Sequence, residues 1–275
     1  MKRNENHGEK FNAIGLEYEN KMKIIKESLE NSVLAKEYIY KNPRKKTKIM
    51  PLLYPKNSSI QICSLVLDDD KGNGTVETFF PVLEGIENTF IIENKTTWKN
   101  NIEGEIEVIS EDGNIFQFFA PFYKHNFSKI KKGEKINIYM AGLAYFIENA
   151  VMKYEIDKGP FYEFELENFL EKNPQKTKID FPFVTINLKN SIAVIPSGES
   201  SLYEYRGKII ELEHINFLNK NIARIKVGLE KDKNNDYCMF IYVYIAETNA
   251  KNCKLVVGKE IQCLMWLTGY IKDCA

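Results

Sequence analysis

Residues 237–271 constrain the fold more than any other part of the chain. They read YCMFIYVYIAETNAKNCKLVVGKEIQCLMWLTGYI and hold the densest run of β-branched and aromatic residues in the sequence. Runs of this kind, bounded by polar or glycine-containing turns, are typical of β-strands. A shorter segment, residues 104–145, has a similar order of strand-like runs and turns. The same offsets separate a glycine, an isoleucine and a methionine in both segments: Gly133, Ile136 and Met140, then Gly258, Ile261 and Met265.

This correspondence predicts two related β-rich units, although short strand patterns also recur by chance in β-rich proteins. Within the first unit, Asp112 and Gly113 form a dipeptide that favours a tight hairpin between two strands. Residues 141–154 (AGLAYFIENAVMKY) contain small and long side chains that favour a helix. Residues 161–172 (FYEFELENFLEK) fit a strand or a helix equally well.

The N-terminal region shows a different periodicity. Between residues 12 and 40, apolar side chains recur at spacings of three and four, and no proline occurs before Pro43. This pattern predicts one long amphipathic helix. Its apolar stripe favours docking on a sheet over a seam with a partner helix or a second copy. The stripe consists of Met22, Ile25, Leu29 and Val33.

These patterns together predict an α+β, mostly β fold, in which a long N-terminal helix precedes two related small β-barrel-like or curled-sheet units. Residues 1–48 would form the helix and a basic linker. Residues 49–196 would form the first β-rich unit with its helical segment, and residues 197–275 the second. The polar sequence SGESS at residues 197–201 is the best linker candidate.

Charge and cysteine usage narrow the functional classes. The 38 basic and 38 acidic residues give a formal net charge of zero, whereas nucleic-acid-binding proteins usually carry a basic excess. The one compact basic cluster, NPRKKTK at residues 42–48, fits a solvated linker better than a phosphate contact. There is no CxxC pair, so we expect no structural zinc. The five cysteines are Cys63, Cys238, Cys253, Cys263 and Cys274.

Other motifs of catalysis or ligand binding are absent. The sequence has no HExxH, GxSxG, Walker A or dinucleotide fingerprint. The acidic loop at residues 68–74 (DDDKGNG) lacks the alternating ligands of an EF-hand and fits a solvated hairpin loop. We therefore expect no cofactor and no metal, and an enzyme only if its active site is dispersed along the chain.

Exposed aromatic side chains near lysines are the best candidates for binding. Strands that return through a Gly-Lys turn resemble, in architecture alone, barrels of the oligonucleotide/oligosaccharide-binding type, which stack bases on aromatic rings in a basic groove. Burial in the core is the competing interpretation for each ring. The candidate aromatic residues are Phe118, Tyr123, Tyr242, Tyr244, Trp266 and Tyr270. The candidate basic residues are Lys131, Lys132, Lys208, Lys226 and Lys259.

The sequence therefore favours a non-enzymatic protein that binds another macromolecule, most simply another protein, because tyrosine and tryptophan often anchor interfaces. An inhibitor or immunity-type role in bacterial conflict systems would suit so motif-poor a chain. Binding of single-stranded nucleic acid is the alternative. The N-terminus has no signal-peptide core, and no apolar run could cross a bilayer, so we expect a cytoplasmic protein that does not enter membranes.

Overall fold

In a computed structural model, the protein is mostly β, with 52% of its residues in strands. The structure describes residues 7–16, 18–42, 47–69, 71–250 and 252–272, the side chains of residues 18–21 excepted. Residues 43–46 of the predicted basic cluster and Cys274 lie outside the described residues. The mostly-β part of the predicted fold class is confirmed, but the long N-terminal helix is wrong.

Two short helices replace the predicted long one: α1 (Lys10–Ala13) and α2 (Tyr18–Asn31). Gly15, with a φ of +71°, lies between them in a left-handed conformation that ends α1. Beyond α2, Val33 and Leu34 pair with a strand instead of continuing the helix. Tertiary strand pairing therefore overrides the local helical periodicity, and α2 packs against the first sheet.

The first sheet covers one side of the molecule. It has five antiparallel strands in the order β1-β3-β4-β5, with β2 also paired to β3. The predicted hairpin around the acidic loop is the β4–β5 connection. The strands are β1 (Val33–Leu34), β2 (Tyr40–Asn42), β3 (Thr47–Tyr54), β4 (Ile60–Asp68) and β5 (Gly74–Leu83).

The following segment forms three antiparallel strands, a short helix and one long strand. These are β6 (Ile86–Thr97), β7 (Gly104–Ile109), β8 (Ile115–Ala120), α3 (Tyr123–Asn126) and β9 (Lys135–Asn149). The predicted Asp112-Gly113 hairpin joins β7 to β8. The helix predicted at residues 141–154 is wrong: residues 141–149 are the second half of β9, because their backbone pairs with strands on both sides, and residues 153–154 begin the next strand.

A small subdomain, the arm (Lys153–Asn187), separates β9 from the rest of the main sheet. It contains β10 (Lys153–Ile156), α4 (Pro160–Lys172) and β11 (Val184–Asn187), and β10 and β11 form a two-stranded antiparallel sheet of their own. The helical alternative for residues 161–172 is thus the one adopted.

The C-terminal strands complete the main sheet: β12 (Ala193–Pro196), β13 (Leu202–Phe217), β14 (Lys220–Lys231), β15 (Tyr237–Ala246) and β16 (Glu260–Tyr270). Its order is β12-β13-β14-β15-β9-β16-β8-β7-β6, with additional pairs β13–β16 and β9–β6. These pairs close two five-stranded rings that share β9 and β16. The two predicted units therefore contribute to one nine-stranded sheet, and whether each segment folds alone stays a prediction.

The two rings contain the same turn. The Gly133 N–H donates to the carbonyl of Ile92 (2.8 Å), and the Gly258 N–H donates to the carbonyl of Ile209 (2.7 Å). Both glycines have a positive φ, +85° and +84°. This matched geometry accounts for the glycine offsets in the sequence. That the halves arose by duplication stays a prediction.

Two hydrophobic cores lie on opposite faces of the main sheet. Consecutive residues alternate between them along the strands, as period-2 side-chain geometry requires. The first core, inside the rings, includes Phe90, Ile106, Phe118, Ile225, Val243 and Met265. The second core, beneath the first sheet and α1, includes Phe11, Phe80, Trp98, Phe119, Tyr244 and Trp266.

Candidate interaction surface

Nearly every residue of the arm and its flanks is exposed or half-buried. Of the fifty residues 151–200, Tyr162 alone is buried, with 2% of its surface exposed. Interaction sites commonly expose large apolar side chains that a partner covers. Five large apolar residues of the arm are exposed: Tyr154, Phe161, Phe164, Ile179 and Phe183.

Local sequence explains the form of the arm. Gly159, with a φ of +97°, precedes α4, and Pro160 occupies its first turn, where a missing N–H costs nothing. The Tyr162 ring stacks on Phe181 (centroids 5.9 Å), and its hydroxyl donates to the Phe181 carbonyl (2.7 Å). Phe169 also stacks on the Phe181 ring, with 4.8 Å between the ring centroids. This three-ring cluster holds α4 against the following loop.

The outward side of α4 combines aromatic rings with negative charge. Phe161 and Phe164 are one helical turn apart and therefore lie on one face, with 48% and 60% of their surfaces exposed. The helix contains four glutamates, Glu163, Glu165, Glu167 and Glu171, and a single lysine, Lys172. Helix α4 therefore presents an apolar pair together with an excess of acidic side chains.

A buried ion pair attaches the base of the arm to the main sheet. The Arg206 guanidinium on β13 contacts the Glu260 carboxylate on β16 at 3.0 Å. It also donates to the Leu188 carbonyl (2.9 Å) and to the Ser191 hydroxyl (2.7 Å). The Asn190 N–H donates to the other oxygen of Glu260 (2.9 Å). These bonds fix residues 188–191, which directly follow the arm.

Four of the predicted aromatic binding residues lie in the cores. Phe118, Tyr123, Tyr244 and Trp266 expose between 0% and 7% of their surfaces. The Tyr244 hydroxyl donates to the Glu84 carbonyl (2.8 Å), and burial raises its pKa. Rings this buried leave no surface on which a base could stack.

Tyr242 and Tyr270 are half-buried and already have partners. The Arg224 guanidinium lies 4.5 Å from the centre of the Tyr242 ring and also pairs with Glu84 (2.7 Å). Tyr270 stacks on Tyr139 at 5.9 Å between ring centroids. Both rings belong to a surface whose described charges are largely paired.

Four of the five predicted basic residues already have hydrogen-bond or ion-pair partners. Lys131 and Lys132 are exposed beside the Gly133 turn, and Lys132 contacts Glu93. The half-buried Lys259 donates to the carbonyl of Lys254 (3.1 Å). Lys208 donates to Asn190 (2.7 Å), and Lys226 contacts Glu211 (2.8 Å).

One group of potential metal ligands was not apparent in the sequence, because its members are far apart along the chain. The ligand atoms of Asp112, Glu230 and Cys238 lie within 4.8 Å of one another. One oxygen of Glu230 already accepts hydrogen bonds from Ser110 (2.6 Å) and Asn114 (2.7 Å). These bonds give Glu230 a structural role between the β7–β8 hairpin and β14.

This group predicts how Cys238 reacts. Burial and the nearby carboxylates of Glu230 and Asp112 raise the pKa of its thiol, so less reactive thiolate is present near neutral pH. Replacing Asp112→Asn removes one negative charge, so we expect faster alkylation of Cys238 by iodoacetamide at pH 7.5, measured by peptide mass spectrometry. Cys63 and Cys263, both buried, should react only after unfolding and serve as internal controls. An unchanged Cys238 rate in the variant would contradict this account.

Comparison with protein-family models, with curated proteins and with solved structures finds no match to this chain. Among the residues that the structure describes, no helix is long and apolar enough to cross a membrane. The geometry of the described residues therefore carries the functional argument. The exposed arm is the feature that sequence reasoning missed, since FYEFELENFLEK contains no signal that separates the buried Tyr162 from the exposed Phe161.

Proposed function

We propose that this protein binds another protein through its arm and that the interaction, not catalysis, is its function. The observation that carries the proposal is the single buried residue among residues 151–200, beside five exposed large apolar side chains in the arm. Aromatic residues are enriched at interfaces and often supply most of the binding free energy. The partner would cover Phe161 and Phe164 first.

The charge of α4 specifies the kind of partner. Four glutamates against one lysine favour a protein whose apolar groove has lysine or arginine residues around its rim. Insertion of one helix face into such a groove is a common recognition mode. The same charge disfavours nucleic acid and anionic lipid, whose phosphates would repel the helix.

The ion pairs of three basic residues argue against the alternative of single-stranded nucleic-acid binding. Lys132, Arg224 and Lys226 each contact a glutamate, which neutralises the charge that would otherwise attract a phosphate. An inhibitor or immunity-type role is compatible with a protein-binding arm, and we propose it as the more specific form of this function. We also propose a reducing, cytoplasmic setting, which the free thiols of Cys63, Cys238, Cys253 and Cys263 support.

Site-specific photo-cross-linking tests the proposal. With the photoreactive residue p-benzoylphenylalanine in place of Phe164, we expect one discrete cross-linked protein in cells of the source organism. The matched control places the same residue at Lys233, in the exposed turn between β14 and β15. Adding the change Phe161→Ser to the Phe164 probe should remove the cross-link.

The outcomes separate the alternatives. A cross-linked species that also forms from position 233, or that survives Phe161→Ser, would contradict binding through the arm. A cross-link to nucleic acid, removed by nuclease and not by protease, would replace the proposal with the nucleic-acid alternative.

A further inference from the structure

An apolar groove separates α2 from the edge strand β5 on the side of the molecule that carries the first sheet. Its volume is about 600 Å³, within the range of about 300–1,000 Å³ typical of small-molecule sites. Polar groups at its rim come from Lys26, Glu77 and Thr78. The apolar lining consists of Met22, Ile25, Leu29, Val76 and Phe79.

One buried polar side chain, His7, also lines this groove. It exposes only 4% of its surface, and its ring stacks on Trp98 (5.3 Å) and packs against Phe119 (4.9 Å). Among the described residues, its Nδ1 atom has no hydrogen-bond partner. Buried polar atoms are nearly always paired with protein groups or ordered water, so this atom in the wall of a groove is available to a polar atom of a bound molecule.

The partner of the other ring nitrogen determines what that ligand atom must be. His7 Nε2 lies 2.8 Å from Oε1 of Glu103, and Oε2 of Glu103 accepts a hydrogen bond from the Asn100 amide at 2.5 Å. In the neutral imidazole, a proton on Nε2 satisfies this carboxylate oxygen and leaves Nδ1 as a hydrogen-bond acceptor. For that tautomer, a ligand in the groove must supply an O–H or N–H donor.

We propose that the groove binds a small apolar molecule carrying one hydroxyl or N–H group, of which a substituted phenol is the simplest example. The apolar part would contact Ile25, Leu29 and Phe79, and the hydroxyl would donate to His7 Nδ1. This site is separate from the arm and does not depend on the function proposed for it.

A matched pair of probes tests the proposal. p-Cresol and p-xylene have nearly the same shape, and p-xylene carries a methyl group where p-cresol carries its hydroxyl. The affinity of each probe can be measured by calorimetric titration of the full chain. The variant His7→Phe keeps a ring against Trp98 and carries no hydrogen-bond acceptor. We expect the affinity ratio of p-cresol to p-xylene to be about three- to tenfold larger in the wild type than in His7→Phe, as one net hydrogen bond predicts.

Two further measurements locate the site and fix the protonation state. Met22→Glu changes an apolar groove side chain that is 70% exposed, so it should weaken both probes without unfolding the chain. Nitrogen-15 NMR of His7 should show a change at Nδ1 with p-cresol and none with p-xylene.

Three results would overturn the inference. These are an equal affinity ratio in the wild type and His7→Phe, binding unaffected by Met22→Glu, and no binding of either probe up to its solubility. Tighter binding of 4-methylbenzoate than of p-cresol would also overturn it, since it would show that Nδ1 donates.

Discussion

Replacing Trp266→Ala should lower the free energy of unfolding by about 3–5 kcal/mol, the usual cost of removing a buried tryptophan side chain. Trp266 is 1% exposed, its ring stacks on Phe119 at 5.0 Å, and the ammonium group of Lys10 lies 5.1 Å from the ring centre. The alanine variant loses these contacts and leaves a cavity between the main sheet and α1. Urea denaturation monitored by far-ultraviolet circular dichroism measures the change.

The control for this prediction is Tyr154→Ala in the arm. Tyr154 is 59% exposed, so its loss should change the free energy of unfolding by no more than about 0.5 kcal/mol. If Trp266→Ala does not fold, Trp266→Phe, which keeps a ring against Phe119, should fold with a smaller loss. A cost below about 1 kcal/mol for Trp266→Ala, combined with salt-sensitive loss of nucleic-acid binding, would restore the base-stacking interpretation of this residue.

The second large effect is expected at the base of the arm. Arg206→Ala would leave the Glu260 carboxylate buried without its cation and would remove the bonds to Leu188 and Ser191. Breaking a buried ion pair by removing one partner costs about 3–5 kcal/mol. The same denaturation experiment measures this loss.

Lys132→Ala provides the comparison for Arg206→Ala. Lys132 pairs with Glu93 on the surface, where 70% of the lysine side chain is exposed, so its replacement should cost at most about 1 kcal/mol. Hydrogen exchange adds a local readout, because residues 188–191 should lose protection in Arg206→Ala and keep it in Lys132→Ala. Equal stability losses in the two variants would contradict the anchoring role of Arg206.

The positions of β8 and β15 were predictable because their β-branched and aromatic runs are bounded by polar or glycine-containing turns. Gly15 is also a local signal, which ends α1 through its positive φ. The C-terminal limit of α2, by contrast, was not predictable, because Val33 pairs with Leu53 on another strand. The second half of β9 was mistaken for a helix for a similar reason. Its alanine and leucine residues favour helices locally, yet β15 and β16 pair with it from both sides.

The candidate sites were harder to predict than the fold. Period-2 alternation predicts that half of the aromatic residues in residues 237–271 are buried but does not say which ones, and in the structure Tyr244 and Trp266 alone are fully buried. Trp266 and Tyr244 face the second core because the first sheet covers them, and that sheet is remote in sequence. The exposure of Phe161 and Phe164 depends on Phe181, which covers the opposite side of α4.

The most direct test of the central claim compares stability and binding in one variant, Phe161→Ser/Phe164→Ser, once cross-linking has identified the partner. Because both rings are exposed, the free energy of unfolding should stay within about 0.5 kcal/mol of the wild type. If the two rings are interface anchors that together contribute about 2 kcal/mol or more of binding free energy, the affinity for the partner should fall at least about 30-fold. Unchanged affinity, or a loss of stability comparable to that of Trp266→Ala, would contradict the proposal that the arm is a protein-binding surface.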